Sequence, residues 1–284
     1  MRLSQGMGVV MMKVAKKKIV PLLLVGGILA GGGIVAETAY GAETEVFQPK
    51  SVEYEIQMMK DSGMTLEQVK QFVEISKEGK EFFEKDAKIK AENDLKEIDE
   101  LKTTHPEEAK ELYSKIDDPA YSQNELNGLV ALAGSALGTK GDVLVSYEIN
   151  SGSSSIGVGH TAIVSKDSSR TIESFAKSWS PTGKDGVQYY PNTWKGRSKV
   201  YGLWVKGANN TKYLNAASYA QGQIGKGYNW SFFDKNRTDK FYCSQLAWRS
   251  WKNQGIDIDN VTWDTVVTPM ELVKSSNTTI FYSN

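Results

Sequence analysis

The chain contains one cysteine, Cys243, and this scarcity excludes an intrachain disulfide because a bridge needs two sulfur atoms. Three interpretations of Cys243 remain: a buried thiol that acts as a small hydrophobe, an intermolecular crosslink, or a nucleophile. Histidine is also scarce, with two residues, and neither an HExxH nor a CxxC motif is present. A closed zinc site needs four such ligands. The sequence therefore predicts no metal centre and no cofactor.

The chain also lacks an excess of charge of either sign, since 34 Lys and Arg residues balance 34 Asp and Glu residues. Nucleic-acid-binding proteins usually carry a basic surface that neutralises phosphates. We therefore predict no nucleic-acid partner. The 284 residues are 40% hydrophobic and 10% aromatic. That composition is sufficient for a domain with a sizeable core and an additional segment.

The N-terminus has the layout of a secretory signal peptide. A basic cluster at residues 13–18 precedes an apolar run at residues 19–36, and the small residues Ala39 and Gly41 flank Tyr40 at a candidate cleavage site. A transmembrane anchor is the alternative, because the run is near the length that spans a bilayer. We assign residues 1–42 to a signal peptide and expect a secreted protein of the cell envelope. Membrane contact is expected only through an uncleaved signal segment.

Residues 43–120 are predicted to form a helical accessory segment. This region is rich in Lys and Glu, and its apolar residues recur at helical spacing. Thr65 and Gln68 have the spacing of a capping box, and Pro106 suits the first turn of a helix. The segment is either a partner-binding or lid element, or a helical hairpin packed on the main domain. Periodicity alone does not decide between these alternatives.

Residues 121–284 are predicted to form the main domain, whose character changes near Gly141. Short runs such as DVLVSY, HTAIV, RTIESFA and KVYGLWV are rich in β-branched and aromatic residues and are separated by Gly, Ser, Asn and Pro. They predict an antiparallel sheet. Two helical patterns follow at residues 214–225 and 243–254. The predicted fold class is α+β, an antiparallel sheet with packed helices plus the N-terminal helical segment.

His160 and Glu173 are candidates for one polar cluster on adjacent strands. His160 follows a Gly- and Ser-rich loop and begins HTAIV, while Glu173 lies in the next strand. An even-numbered hairpin loop would put the two side chains on one face of the sheet, and a carboxylate there could orient the imidazole. A three-residue loop would put Glu173 on the opposite side. A partly buried histidine bonded to the backbone is an equal alternative for His160.

Cys243 begins an amphipathic helix, and this position favours a reactive thiol. The first turn of a helix has unpaired N–H groups and the positive end of the helix dipole. Both stabilise a thiolate, and the same N–H groups can bind a developing oxyanion. A cysteine nucleophile needs such a thiol together with a base and an orienting group.

The order of five motifs resembles the permuted papain-like amidases of the YiiX and YaeF type, within the NlpC superfamily. These motifs, followed by PMEL at residues 269–272, are GDVLVSY, GHTAIV, TIESF, GKGYNWSFF and FYCSQLAW. The resemblance covers roughly residues 135–275 and implies a permuted papain-like, NlpC-type fold. It implies Cys243 as nucleophile, His160 as base and Glu173 as orienting acid. Tyr242 and Tyr228 are implied to be residues of the substrate pocket.

The leading hypothesis is a secreted cysteine hydrolase that cleaves an amide or related acyl bond through a thioester, with a peptide or lipid amide as substrate. Cell-wall peptides are the substrates expected from the resemblance. An acyltransferase that uses lipid or amine acceptors is an alternative, because an acyl-enzyme can be resolved by groups other than water. A non-catalytic surface interaction protein is a further alternative, and an inert, buried thiol would support it.

Overall fold

The computed structural model describes residues 51–118, 136–148 and 156–284, and these residues belong to one compact unit. The predicted signal peptide lies outside the described residues, as does the predicted boundary at residue 120. No described helix has the length and apolar character needed to cross a membrane. The structure is a mixture of helices and antiparallel sheet, so the predicted α+β class is confirmed.

Four helices make up the N-terminal segment: α1 (Val52–Asp61), α2 (Leu66–Glu84), α3 (Asp86–Thr104) and α4 (Pro106–Leu112). The predicted capping box at α2 is formed, because Thr65 Oγ1 accepts from the Gln68 amide at 3.2 Å and Gln68 Oε1 accepts from the Thr65 amide at 2.9 Å. Pro106 occupies the first turn of α4, where its missing N–H costs no helical bond.

A six-stranded antiparallel sheet forms the centre of the molecule, in the order β4-β3-β2-β1-β5-β8. Its strands are β1 (Val143–Ser146), β2 (His160–Val164), β3 (Arg170–Phe175), β4 (Gly186–Pro191), β5 (Val200–Val205) and β8 (Thr278–Ser283). Strands β1, β2, β3 and β5 correspond to the four predicted runs. The sequence analysis did not predict β4 or the C-terminal β8.

Three further helices and one short strand pair complete the domain: α5 (Asn210–Gln221), β6 (Gly227–Tyr228), β7 (Lys240–Phe241), α6 (Cys243–Lys252) and α7 (Pro269–Lys274). Helix α5 begins four residues before its predicted start, because Asn209 Oδ1 accepts from the Lys212 amide at 3.0 Å and caps the helix. Helix α6 begins at the predicted residue, Cys243.

Both faces of the sheet are buried. Val143 and Val145 of β1 contact an apolar cluster that includes residues of α1, α2, α5 and α6. Leu144, which points to the opposite face, belongs to a second cluster with residues of α3 and the segment after α4. The helical N-terminal segment therefore packs on the sheet and supplies part of the core on both sides.

Candidate active site

His160 is held at the beginning of β2, where it pairs with Ser146 at the end of β1. The preceding Gly159 has a φ of +83°, and a Cβ atom there would lie 2.8 Å from the Ser146 carbonyl oxygen. A side chain at residue 159 would therefore separate the two strands. Because side chains alternate along β2, the buried His160, which is 1% exposed, lies on the same sheet face as Ala162 and Val164.

Glu173 lies on the same face of the sheet as His160, and its Oε2 atom is 2.7 Å from His160 Nε2. The shared face is as predicted, and the residue directly opposite Glu173 is Ala162. His160 and Glu173 are therefore diagonal neighbours on that face, because side-chain direction repeats every two residues along a strand.

Cys243 is the first residue of α6 and directly follows β7 and Tyr242. The chain is anchored at this point by Ser174 of β3, whose Oγ atom donates to the Phe241 carbonyl oxygen at 2.6 Å. Cys243 is 7% exposed, and its thiol interacts with the His160 imidazole. The structure therefore joins Cys243, His160 and Glu173 in one chain of contacts.

Burial and partner groups act in opposite directions on these side chains. Burial alone disfavours the charged imidazole, but its bonds to Cys243 and Glu173 outweigh that cost and raise the pKa of His160 to about 9. Burial also opposes the thiolate, yet the hydrogen bond and charge of His160 lower the pKa of the Cys243 thiol below its usual value. Backbone N–H groups of Thr161 and Ser244 lower it further. This arrangement favours a thiolate–imidazolium pair.

Three residues that the sequence analysis did not select surround the other oxygen of Glu173. Its Oε1 atom accepts hydrogen bonds from Thr171 Oγ1 and from Trp194 Nε1, the latter at 3.0 Å. The Arg197 guanidinium lies 3.8 Å from the same oxygen. Burial would raise the pKa of Glu173, but Arg197, His160 and Thr171 together lower it. Trp194 and Arg197 lie on the segment after β4, and no motif or spacing connects them with Glu173.

Cys243 borders a narrow apolar cleft that is partly open to solvent. Cys243 and His160 lie in its lining with Ser244 and Thr268, and its apolar walls are Phe72, Val158, Phe232, Val267 and Pro269. Phe72 comes from α2, and its ring stacks on that of Phe232 with centroids 4.2 Å apart. The helical segment thus contributes a wall of the cleft. Its sequence does not predict this contribution.

Both predicted pocket tyrosines line this cleft. Tyr228 ends β6 and packs edge-on against Phe232, with ring centroids 6.3 Å apart. The hydroxyl of Tyr242 accepts a hydrogen bond from the Val267 amide at 3.1 Å. This bond fixes the segment that carries Val267 to the residue preceding Cys243. Tyr242 therefore shapes the cleft wall as well as lining it.

Gln245 is fully buried beneath the start of α6, and the sequence analysis attached no importance to it. Its Oε1 atom accepts from the Tyr242 amide and from Asn229 Nδ2, each at 3.1 Å. Its amide nitrogen donates to the carbonyl oxygens of Lys235 and Arg237 at 3.1 and 2.9 Å. Gln245 therefore connects the loop before β7 to the first turn of the cysteine helix.

No family model matches the chain, and no curated protein sequence matches it. Among solved structures, the chain is similar to metalloprotein yiiX (DUF1105) from Escherichia coli O157:H7. The alignment covers 51% of this chain and 97% of that chain, with 18% sequence identity and a TM-score of 0.40. A similarity of this size does not establish a shared activity. Within the described ranges, no group of three or more His, Cys, Asp or Glu side chains is arranged to hold a metal ion.

Proposed function

We propose that this protein is a cysteine hydrolase with a permuted papain-like, NlpC-type domain that cleaves an amide or related acyl bond. The observation that carries the proposal is the sequence of contacts from the Cys243 thiol through the His160 imidazole to the Glu173 carboxylate, beside an apolar cleft. A nucleophile, a base and an orienting acid in mutual contact are the minimum set for covalent acyl chemistry.

In the proposed reaction, the Cys243 thiolate attacks the carbonyl carbon of a substrate bound in the cleft. The carbonyl oxygen becomes an oxyanion, which N–H groups at the start of α6 are positioned to stabilise. Collapse of this intermediate breaks the C–N bond as the His160 imidazolium gives its proton to the departing amine. The products of this half-reaction are the free amine and a thioester on Cys243.

Hydrolysis of the thioester uses the same groups in reverse roles. Neutral His160 removes a proton from water, the resulting hydroxide attacks the thioester carbonyl, and the thiolate departs as the carboxylic acid forms. Glu173 bonds His160 Nε2 in both half-reactions, which orients the imidazole and stabilises the imidazolium.

The lining of the cleft bears on the substrate class. Its apolar walls favour an apolar acyl group over a charged one, because burial of an unpaired charge there would be costly. A lipid amide fits this lining better than a charged cell-wall peptide. The same lining favours the acyltransferase alternative, since a site that restricts water allows an amine or alcohol acceptor to compete for the thioester.

Export to the cell envelope is part of the proposal and depends on the N-terminal sequence. The basic cluster, the apolar run and the small residues that follow favour cleavage after Gly41 or Ala42. Mass spectrometry of the secreted protein should find the corresponding N-terminus. A membrane-bound chain that still begins at or before Met12 would contradict this part of the proposal.

The decisive experiment measures the rate of Cys243 alkylation by iodoacetamide as a function of pH. We expect rapid labelling of the wild-type protein well below the ordinary thiol pKa of about 8.5, and loss of this low-pH labelling in His160→Ala. Wild-type labelling that rises only near pH 8.5 would favour the non-catalytic interaction protein. Incubation with lipid amides and digested cell-wall peptides, with Cys243→Ser as the control, then identifies the acyl group.

A further inference from the structure

The carboxylate of Glu173 is held from two sides, and one side has no role in the reaction described above. Its Oε2 atom contacts His160, whereas Oε1 receives hydrogen bonds from Trp194 Nε1 at 3.0 Å and from Thr171 Oγ1. Arg197 lies 3.8 Å from Oε1. The carboxylate is fully buried, so its orientation depends on these four partners.

Trp194 contacts both members of the acid–imidazole pair. Its indole N–H bonds Glu173, and its ring lies nearly parallel to the His160 ring, with centroids 6.0 Å apart and an interplanar angle of 15°. Phe175 stacks on His160 with its centroid 4.8 Å away. The indole therefore restricts the imidazole through its ring and restricts the carboxylate through its nitrogen.

Arg197 follows the short helical turn that carries Trp194, and the two side chains are stacked. The Arg197 guanidinium carbon lies 4.2 Å from the centre of the Trp194 indole ring, and one guanidinium nitrogen lies 3.8 Å from Glu173 Oε1. The turn is anchored by Asn192, whose Nδ2 atom donates to the carbonyl oxygens of Leu137 and Ser168 at 2.9 and 2.8 Å. An anchored turn can present both side chains in one fixed geometry.

We infer that Trp194 and Arg197 are positioning residues that keep the Glu173 carboxylate ionised and directed at His160. This inference depends on the proposed function, because positioning has a consequence only if Cys243 reacts through His160. Arg197 acts through Glu173, and Trp194 acts both through Glu173 and through its ring contact with His160.

The charges form an alternating row of Cys243 thiolate, His160 imidazolium, Glu173 carboxylate and Arg197 guanidinium. The groups that face Glu173 are His160, Arg197, Thr171 and Trp194, and Arg197 and His160 are the cations among them. A buried carboxylate that loses one of two cationic neighbours becomes easier to protonate. Neutral Glu173 would stabilise the His160 imidazolium less. With less imidazolium present, a smaller fraction of Cys243 would be thiolate at acidic pH.

The test compares the pH dependence of iodoacetamide labelling of Cys243 in the full-length wild-type protein and four variants. In Arg197→Gln the rise of the labelling rate at acidic pH should move to higher pH by about one unit. The labelling rate at pH 9 should equal that of the wild type. Arg197→Lys retains the positive charge and should recover most of the shift. Trp194→Phe keeps an aromatic ring but loses the N–H donor, and should cause a smaller shift in the same direction.

Arg170→Gln is the matched control, because Arg170 lies on the same strand as Glu173 but its side chain is 57% exposed. Its labelling profile should match that of the wild type. Arg197→Gln and Trp194→Phe profiles that also match the wild type would overturn the inference, as would a decrease of equal size at every pH. If Arg197→Gln does not fold, Trp194→Phe decides alone. A wild-type thiol of ordinary acidity would instead contradict the proposed function, visible before any variant is measured.

Discussion

The strands β1 and β2 carry a buried ionisable cluster at each end, and the two clusters differ in what surrounds them. At one end, His160 pairs with Ser146 and contacts Cys243 and Glu173. At the other end, Asp142 precedes β1, and its carboxylate lies 3.2 Å from the Lys115 ammonium. The side chains of Lys115 and Asp142 are both fully buried.

The Lys115 cluster is enclosed by its own bonding partners. The ammonium donates to Thr139 Oγ1 and to the Lys140 carbonyl oxygen, and it lies 4.2 Å from the centre of the Tyr213 ring. Asp142 Oδ2 also accepts from the Thr139 amide at 2.7 Å. The cluster at the other end borders a cleft and includes the Cys243 thiol at a helix start. An equal degree of burial therefore accompanies an enclosed ion pair in one cluster and the proposed reaction site in the other.

The pKa shifts alone would not separate the two clusters. Burial raises the pKa of Asp142 to about 6 despite Lys115, and burial lowers the pKa of Lys115. At the opposite end, partner groups raise the pKa of His160 to about 9 against the effect of burial. Perturbed groups are common in structural ion pairs as well as in active sites. The cleft and the thiol at a helix start are the features that distinguish the proposed active site from the Lys115 cluster.

The largest expected effect follows from replacement of Cys243, the proposed nucleophile. Cys243→Ser should lower amide hydrolysis by at least about 10⁴-fold, because the hydroxyl has no comparable thiolate form. Its melting temperature should stay close to the wild-type value, since the two side chains are nearly equal in volume. Hydrolysis assays with thermal melts would measure both. Undiminished hydrolysis in Cys243→Ser would show that the chemistry lies elsewhere.

Removal of the Lys115 ammonium should destabilise the protein without changing the reactivity of Cys243. Lys115→Met leaves the buried Asp142 carboxylate unpaired, which we expect to lower the free energy of unfolding by about 3–5 kcal/mol at pH 7.5. Urea unfolding measures the loss. Replacing both residues, as Lys115→Met with Asp142→Leu, should recover much of it. The rate of Cys243 alkylation per folded molecule should stay unchanged, and a clear decrease would mean that the clusters are coupled.

The same substitution of an amide for a carboxylate, made in each cluster, tests whether the two clusters differ in function. Glu173→Gln should decrease turnover by about 10²- to 10³-fold, because an amide cannot stabilise the imidazolium as a carboxylate does. Asp142→Asn makes the same chemical change at the other end and should leave turnover per folded molecule unchanged. Steady-state kinetics on both variants provides the measurement. Equal losses of turnover in the two variants would remove the distinction between the clusters.

The smallest expected effect is a pH dependence of stability from Asp142. Its folded-state pKa of about 6 is above its ordinary value of 3.8, so the folded state binds more protons between these values. The free energy of unfolding should therefore decrease as pH rises from about 4 to about 6, by about 2–3 kcal/mol. The contribution of Asp142 is the difference in the free energy of unfolding between the wild type and Asp142→Asn, measured by urea unfolding at each pH. Parallel curves for the two proteins across this range would contradict the assignment.

The local elements were predictable from the chain because their signals are local. The capping residues Thr65 and Gln68, the proline at the start of α4 and the alternating strand HTAIV all act within a few residues. Strands β4 and β8 were not predicted. Gly186 and Pro191 bound β4, and such residues are typical of turns.

The candidate site was predictable in its residue types and only partly in its contacts. The lone cysteine at a helix start and the histidine at a strand start carry intrinsic chemical signals, and the two-residue period of a strand fixes the face that Glu173 shares with His160. The register of β2 and β3 depends on the turn between them, so the sequence did not specify that Glu173 lies opposite Ala162 and diagonal to His160.

The α+β class, the start of the cysteine helix and the candidate residues for acyl chemistry could be predicted from the sequence, because these predictions rest on short-range periodicity and on the chemistry of single residues. Tertiary structure alone decided that Phe72 of the helical segment forms a wall of the cleft. It also placed Trp194 and Arg197 behind Glu173, and Gln245 beneath Cys243. These contacts join residues from separate elements, and their geometry depends on how helices and strands pack around a shared core.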